Sequence, residues 1–258
     1  MLPPLIANTH YFTAATPANR VRSLRGSGVH CYIVGWPDNC PYTFGWDGRD
    51  RYDYRQLDAH IESLVGIDPD ATFLVAFGLP HGAPLYWYHD HPDELAIMAA
   101  GYRMQYPSLG SALWRTQSAE AARRFAEHFS EGRLHERVIG FVPYHSGYEW
   151  RGVGEIAPQI PHDARGEKTG DYSEPMRSAW HEWLTEAYES DDELCDAWQL
   201  AGIRRSEDAL PTRESIRTDS RRIRDYFRFY NELNARLAIA WCEGLRRGAP
   251  DLAIAIPH

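Results

Sequence analysis

The chain of 258 residues carries 36 Asp and Glu against 27 Lys and Arg, a net charge of −9 that excludes a nucleic-acid partner, because displacing counterions from a phosphate backbone needs a basic stripe. Its length suits one large domain, taken here as a single unit over 1–258 with a substantial core. Its 9 Trp and 15 Tyr supply rings that serve either as core or as flat surface for stacking on sugars. No apolar run nears the roughly 20 residues needed to span a bilayer, and the opening MLPPLIANTHYF lacks the charged-then-apolar order of a signal peptide, so no membrane partner is expected and the cytoplasm is the default compartment.

The cysteines Cys31, Cys40, Cys195 and Cys242 show no CxxC spacing, which argues against a zinc or disulfide framework and leaves Cys31 with Cys40 as the one pairing still open. No cofactor is expected.

In chain order, Pro17–Gly26 reads as a short helix and Val29–Trp36 as the first strong strand. Pro37–Arg51 is rich in Pro and Gly and reads as a long loop. Tyr54–Gly66 has helical spacing, with Leu57, Ile61 and Leu64 on one stripe, and Ala71–Leu79 is a second buried strand. His81–Pro92 then crowds Tyr86, Trp87, Tyr88, His89 and His91 just past a strand end. Ser118–Gly132 is the next helix, with Ser118 as its expected cap and Ala122, Phe125, Ala126 and Phe129 as its stripe.

Val138–Trp150 follows, a buried strand running into a polar, aromatic mouth with Tyr144, His145, Glu149 and Trp150 at its end. Gly152–Asp171 is a loop of binding-site type. Ser173–Tyr188 and Arg221–Gly248 are helices, the first with Met176, Trp180, Trp183, Leu184 and Tyr188 on a face better suited to packing than to ligand contact. Leu252–Ile256 is a last strand. The alternation is that of a parallel sheet with helices, the βα class. In that class chemistry gathers at the carboxyl ends of strands, which makes Glu149 the first candidate for a catalytic group, although a lone loop Glu is also commonly just an exposed carboxylate.

The ordered pieces GVHCYIVGW, GWDGRDRYDYRQLDAHI, DATFLVAFGLPHGAPLYWYHDHPDE, YPSLGSALWR, VIGFVPYHSGYEW, DYSEPMRSAWHEWLTEAYESDDELCDAW and the DYFRFYNEL helix resemble the N-terminal part of the β-galactosidase-like proteins of glycoside hydrolase family 42 and its clan A relatives. The resemblance covers nearly the whole chain and implies a (β/α)8 TIM-barrel type fold, incomplete, with about the first five βα units. It implies a retaining two-carboxylate mechanism on a β-linked sugar. In that family the acid/base Glu follows the fourth strand and falls here on Glu149, while the nucleophilic Glu follows the seventh, beyond the residues of this chain. The family's Asn-Glu pair is replaced by Tyr148-Glu149, and the cysteine cluster that binds zinc in some members is missing.

Two carboxylates are needed because a poor leaving group must be protonated while an oxocarbenium-like centre is stabilised from the other side. Trp36, Trp46, Trp87 and Trp150 are expected as stacking walls, and Ser111, Tyr144 and His145 as partners of sugar hydroxyls. The expected partner is therefore a carbohydrate substrate. Two other classes compete: a non-catalytic carbohydrate-binding or interaction module built on the barrel, and a metal-dependent hydrolase using His81, His89 and His91. An open barrel edge further suggests association into a homo-oligomer.

Overall fold

The computed structural model describes residues 6–8, 17–35, 45–78, 83–99, 101–144, 170–212 and 220–255. They fall into two compact units, the first made of Met1–Pro80, Gln117–Ser146 and Ala238–His258, the second of His81–Thr116 and Gly147–Leu237. Among the described residues no helix is long and apolar enough to cross a membrane.

The first unit is built on a five-stranded sheet. Its strands are β1 (Ile6–Asn8), β2 (Cys31–Val34), β5 (Thr72–Gly78), β8 (Val138–Tyr144) and β9 (Ala253–Ile254), adjacent in that order. Every pairing is parallel. Helix α1 (Pro17–Arg25) separates β1 from β2, and α2 (Arg55–Val65) separates β2 from β5. The long loop expected before α2 holds a small antiparallel hairpin, β3 (Trp46–Gly48) with β4 (Arg51–Tyr52). Its Trp46 ring lies 6.5 Å from Tyr52, so paired aromatics across the strands outweigh the local turn formers.

The strand TFLVAFG alternates large and small side chains, and the two faces of the sheet follow. Phe77 sits 5.3 Å from Phe125 and 5.3 Å from Trp241, and Phe125 sits 5.9 Å from Phe141, so the bulky face packs on helices. The other face carries Leu74, Ala76 and Val142, with Ile33 and Ala255 against them, a layer of small and branched residues as in a barrel interior. In β8 the register shifts at Ile139, which leaves it half-exposed between Val138 and Gly140.

Helix α4 (Ala112–Glu131) begins well before the expected Ser118. The cap is Ser111, whose Oγ accepts the Trp114 amide at 2.9 Å. Ser118 lies buried within the helix, where its Oγ accepts the indole N–H of Trp241 at 2.8 Å. The final helix, numbered α7 below, spans Arg221–Gly248 and crosses α4 closely within this unit. A Cβ on Gly244 would stand 2.2 Å from the Ala119 carbonyl oxygen, and one on Gly248 2.1 Å from that of Arg123.

The second unit holds α3 (Leu85–Asp90), the antiparallel pair β6 (Leu95–Ile97) and β7 (Arg103–Pro107), α5 (Glu174–Ala187), α6 (Asp191–Trp198) and the first part of α7. Its core is aromatic: Trp180 stacks on Trp183 at 5.4 Å and on Trp198 at 6.2 Å, with Phe229 5.0 Å away. Each indole N–H donates to a carboxylate: Trp180 to Asp208 at 3.1 Å, Trp183 to Glu232 at 2.7 Å and Trp198 to Asp225 at 2.8 Å. Each carboxylate is in turn held by an arginine of α7, namely Arg222, Arg228 and Arg221. The Trp-rich face of α5 is therefore packing, and these arginines of α7 form ion pairs as well as facing solvent.

Candidate functional site

Because all five strands of the first unit's main sheet run parallel, their carboxyl ends share one edge of that sheet. Gly78 pairs with Tyr144, so β5 and β8 end level with each other, while Val34 pairs with Val75 and β2 ends earlier. Gly35 takes the chain out of β2 at φ +82°, with the site of a Cβ 3.2 Å from the Ala76 carbonyl, a turn that suits only glycine. In parallel α/β architectures this edge is where catalytic groups gather.

Several candidates fall beyond these strand ends. Trp36, His145, Glu149 and Trp150 lie outside the described residues, as do Cys40 and His81. Tyr144 is the last residue of β8, described for its backbone alone. The remaining candidates are placed. Trp46 is 6 % exposed in the β3–β4 hairpin of the first unit, and Trp87 is wholly buried in the second, edge-on to Trp114 at 5.1 Å and 5.0 Å from the His91 ring. Ser111 is also buried: besides capping α4 it donates to Glu94 Oε2 at 2.5 Å. As placed, these three side chains are packed or hydrogen-bonded within their units.

Two polar clusters carry no sequence signal that spacing alone would show. In the second unit, buried Asp171 accepts from Ser108 Oγ at 2.6 Å and from the amides of Ile97 at 3.2 Å and Ser173 at 3.0 Å. It thereby ties the end of β6 to the start of α5.

In the first unit, His30 Nδ1 lies 2.9 Å from Asp68 Oδ2, and the Tyr32 hydroxyl donates to the same oxygen at 2.8 Å. Burial pushes the Asp68 carboxyl up, but the hydrogen bonds from His30, Tyr32 and the Asp70 amide outweigh it and hold it below the usual carboxylate range. His30, Asp68 and Asp70 offer ligand atoms within 4.8 Å of one another, the type of set a divalent ion takes. The lone pairs of Asp68 are already engaged by these donors, so a hydrogen-bonded joint accounts for the group. His89 is exposed and His91 packs against Trp87. Cys31 is a buried free thiol whose pKa burial raises.

The sequential parallel sheet with helices between its strands defines an incomplete (β/α)8 barrel. Among solved structures the chain is similar in fold to the β-galactosidase from Bacillus circulans sp. alkalophilus, with a TM-score of 0.66 at 18% identity, covering 98% of this chain and 36% of that one. A catalytic mutant of a GH42 β-galactosidase from G. stearothermophilus matches with a TM-score of 0.63 at 17% identity, over 92% of this chain and 32% of that one. The catalytic domain of a β-amylase from Paenibacillus polymyxa matches at 0.68 and 14%, over 97% of this chain and 64% of that one. The chain thus spans about a third of the length of the β-galactosidases, and the likeness bears on fold. No family model and no curated protein matches the chain by sequence.

Proposed function

We propose that this chain forms the N-terminal part of a glycoside hydrolase barrel acting on a β-linked sugar, with Glu149 as the general acid/base. One observation carries this reading. The sheet is parallel in sequence order, and counting β1 makes Val138–Tyr144 its fourth strand, with Glu149 five positions beyond its end. The fold likeness to β-galactosidases and to a β-amylase supports a carbohydrate as the substrate class.

In this reading Glu149 protonates the departing glycosidic oxygen and then, as carboxylate, draws a proton from the water that releases the sugar. Tyr148 and Trp150 beside it would raise its pKa by limiting water around the charged form. Trp36 and Trp150 would stack on the ring, and Tyr144 and His145 would bond its hydroxyls. The nucleophile would come from the share of the barrel that the longer structures have and this chain does not span.

The test is Glu149→Gln in a protein carrying the whole barrel. Loss of a positioned general acid should lower turnover on natural glycosides by about 10²–10⁴-fold. On activated aryl glycosides, whose leaving groups need no proton, the loss should be much smaller. Wild-type turnover on natural glycosides would sink the assignment.

A further inference from the structure

In the second unit four rings that can lose an electron stand in line. Trp183 stacks on Trp180 with centroids 5.4 Å apart and planes 8° from parallel, Trp180 stacks on Trp198 at 6.2 Å and 12°, and Trp198 meets Tyr188 edge-on at 6.3 Å. Trp180 is wholly buried, while Trp183, Trp198 and Tyr188 keep 4, 7 and 6 % of their surface exposed, so the line is buried at its centre and reaches toward solvent at its ends. Indoles and phenols are, with the sulfur groups, the side chains that give up an electron most easily, and rings this close exchange one readily.

Losing an electron makes an indole N–H or a phenol O–H strongly acidic, so a buried ring is oxidised most easily where a base can take its proton. Each ring of the line has such a base: Trp183 donates to Glu232, Trp180 to Asp208 and Trp198 to Asp225. The Tyr188 hydroxyl donates to the same Asp225 Oδ2 that accepts the Trp198 N–H, so one oxygen serves the last indole and the phenol. Burial, then the hydrogen bond to Asp225, pushes the Tyr188 hydroxyl up, so it holds its proton at neutral pH and its oxidation must send that proton to Asp225. Guanidinium groups lie over the two outer indoles, Arg228 over Trp183 at 5.9 Å and Arg222 over Trp198 at 5.7 Å, which disfavours a positive charge resting on either.

We propose that Trp183, Trp180, Trp198 and Tyr188 form a relay that carries a one-electron oxidation from an indole to Tyr188. A one-electron oxidising radical takes an electron from Trp183 or Trp198 and is reduced to its anion, while the N–H proton shifts to the bonded carboxylate. An electron from the next ring refills that indole and its proton returns. The last electron comes from Tyr188, which ends as a neutral phenoxyl with its proton on Asp225 Oδ2. A thiolate then supplies an electron, becoming a thiyl radical, and Asp225 returns the proton.

Azide radicals, a one-electron oxidant that attacks indoles before phenols, test the relay when a radiolysis pulse generates them with the 258-residue chain. Indolyl absorbance should decay as phenoxyl absorbance grows, at a first-order rate that does not change with protein concentration. Tyr188→Phe and Trp198→Phe should each lose that growth, the second with Tyr188 still in place, whereas Trp46→Phe in the first unit should keep it. Growth that persists in both Tyr188→Phe and Trp198→Phe overturns the proposal. Two readings on the wild-type protein decide it even where a variant does not fold. A rate that scales with protein concentration would mean transfer between molecules, and a rate unchanged in deuterium oxide would mean that no proton moves with the electron; either result overturns the relay.

Discussion

Asp68 is wholly buried, and its carboxyl is held below the ordinary range because its hydrogen bonds from His30, Tyr32 and the Asp70 amide outweigh the cost of burial. The sign of its pH effect follows. A depressed folded-state pKa contributes stability that is present above the unfolded value of about 3.9 and is lost as pH falls through the lower folded value. Wild-type protein should therefore lose this increment of stability as pH falls below about 4, and Asp68→Asn should lack that part of the decline. At neutral pH the same variant should be less stable by about 1–3 kcal/mol, since Tyr32 and His30 lose a charged acceptor. Urea titrations at several pH values measure both effects, and identical pH profiles would refute the role. Nothing in the spacing of His30 and Asp68 points to this joint: the two come together because β2 and β5 pair from Cys31↔Thr72, and residue numbers do not encode strand register.

The long helices were legible because their apolar periods are strong: α2, α5 and α7 fall within a residue of the boundaries read from sequence. The misses have local causes. Ser118 and Ser111 are both good caps, and periodicity weighted the later one because Ala122 to Phe129 is the densest stretch, whereas Trp114 extends the helix into the second unit. Helix α6 carries a visible start signal, Ser190-Asp191-Asp192-Glu193, in which the Ser190 hydroxyl accepts the Glu193 amide at 3.1 Å. Strand β1 is three residues long, and its pairing with β2 identifies it more than its composition does.

The crossing of α4 and α7 was equally hidden, because Gly244 and Gly248 look like weak points in a helix until their neighbours are known. Ala is the better helix former by about 1 kcal/mol. At Gly244, however, the added methyl would meet a backbone carbonyl at 2.2 Å, and backbone cannot swing aside. Gly244→Ala should therefore destabilise, by about 1–3 kcal/mol net. A higher Tm for this variant would mean that the helices do not approach so closely.

At the scale of the molecule, the class of fold was readable because parallel strands buried on both faces and separated by helices leave few alternatives. The candidate site is legible only as a place in the sequence, after the strand Val138–Tyr144. Trp46, Trp87 and Ser111 were chosen for their chemistry, and the structure packs all three, since large rings and capping hydroxyls are as useful inside a protein as at its mouth.

The open sheet has a physical consequence of its own. Its terminal strands are short, three residues in β1 and two in β9, and among the described residues neither has a strand on its outer side. A row of unpaired amides and carbonyls on a parallel edge invites a second chain, and the same sheet carries on one face the apolar layer of Leu74, Ala76 and Val142. The net charge of −9 opposes association through repulsion that salt screens within about 8 Å at physiological strength. Edge pairing acts at contact and should win once the charges are screened. The 258-residue chain expressed alone should accordingly sediment faster as its concentration rises, and more so with added salt. A single monomeric boundary at all concentrations, with one sharp thermal transition, would show that the edge is protected and would remove the expectation of self-association.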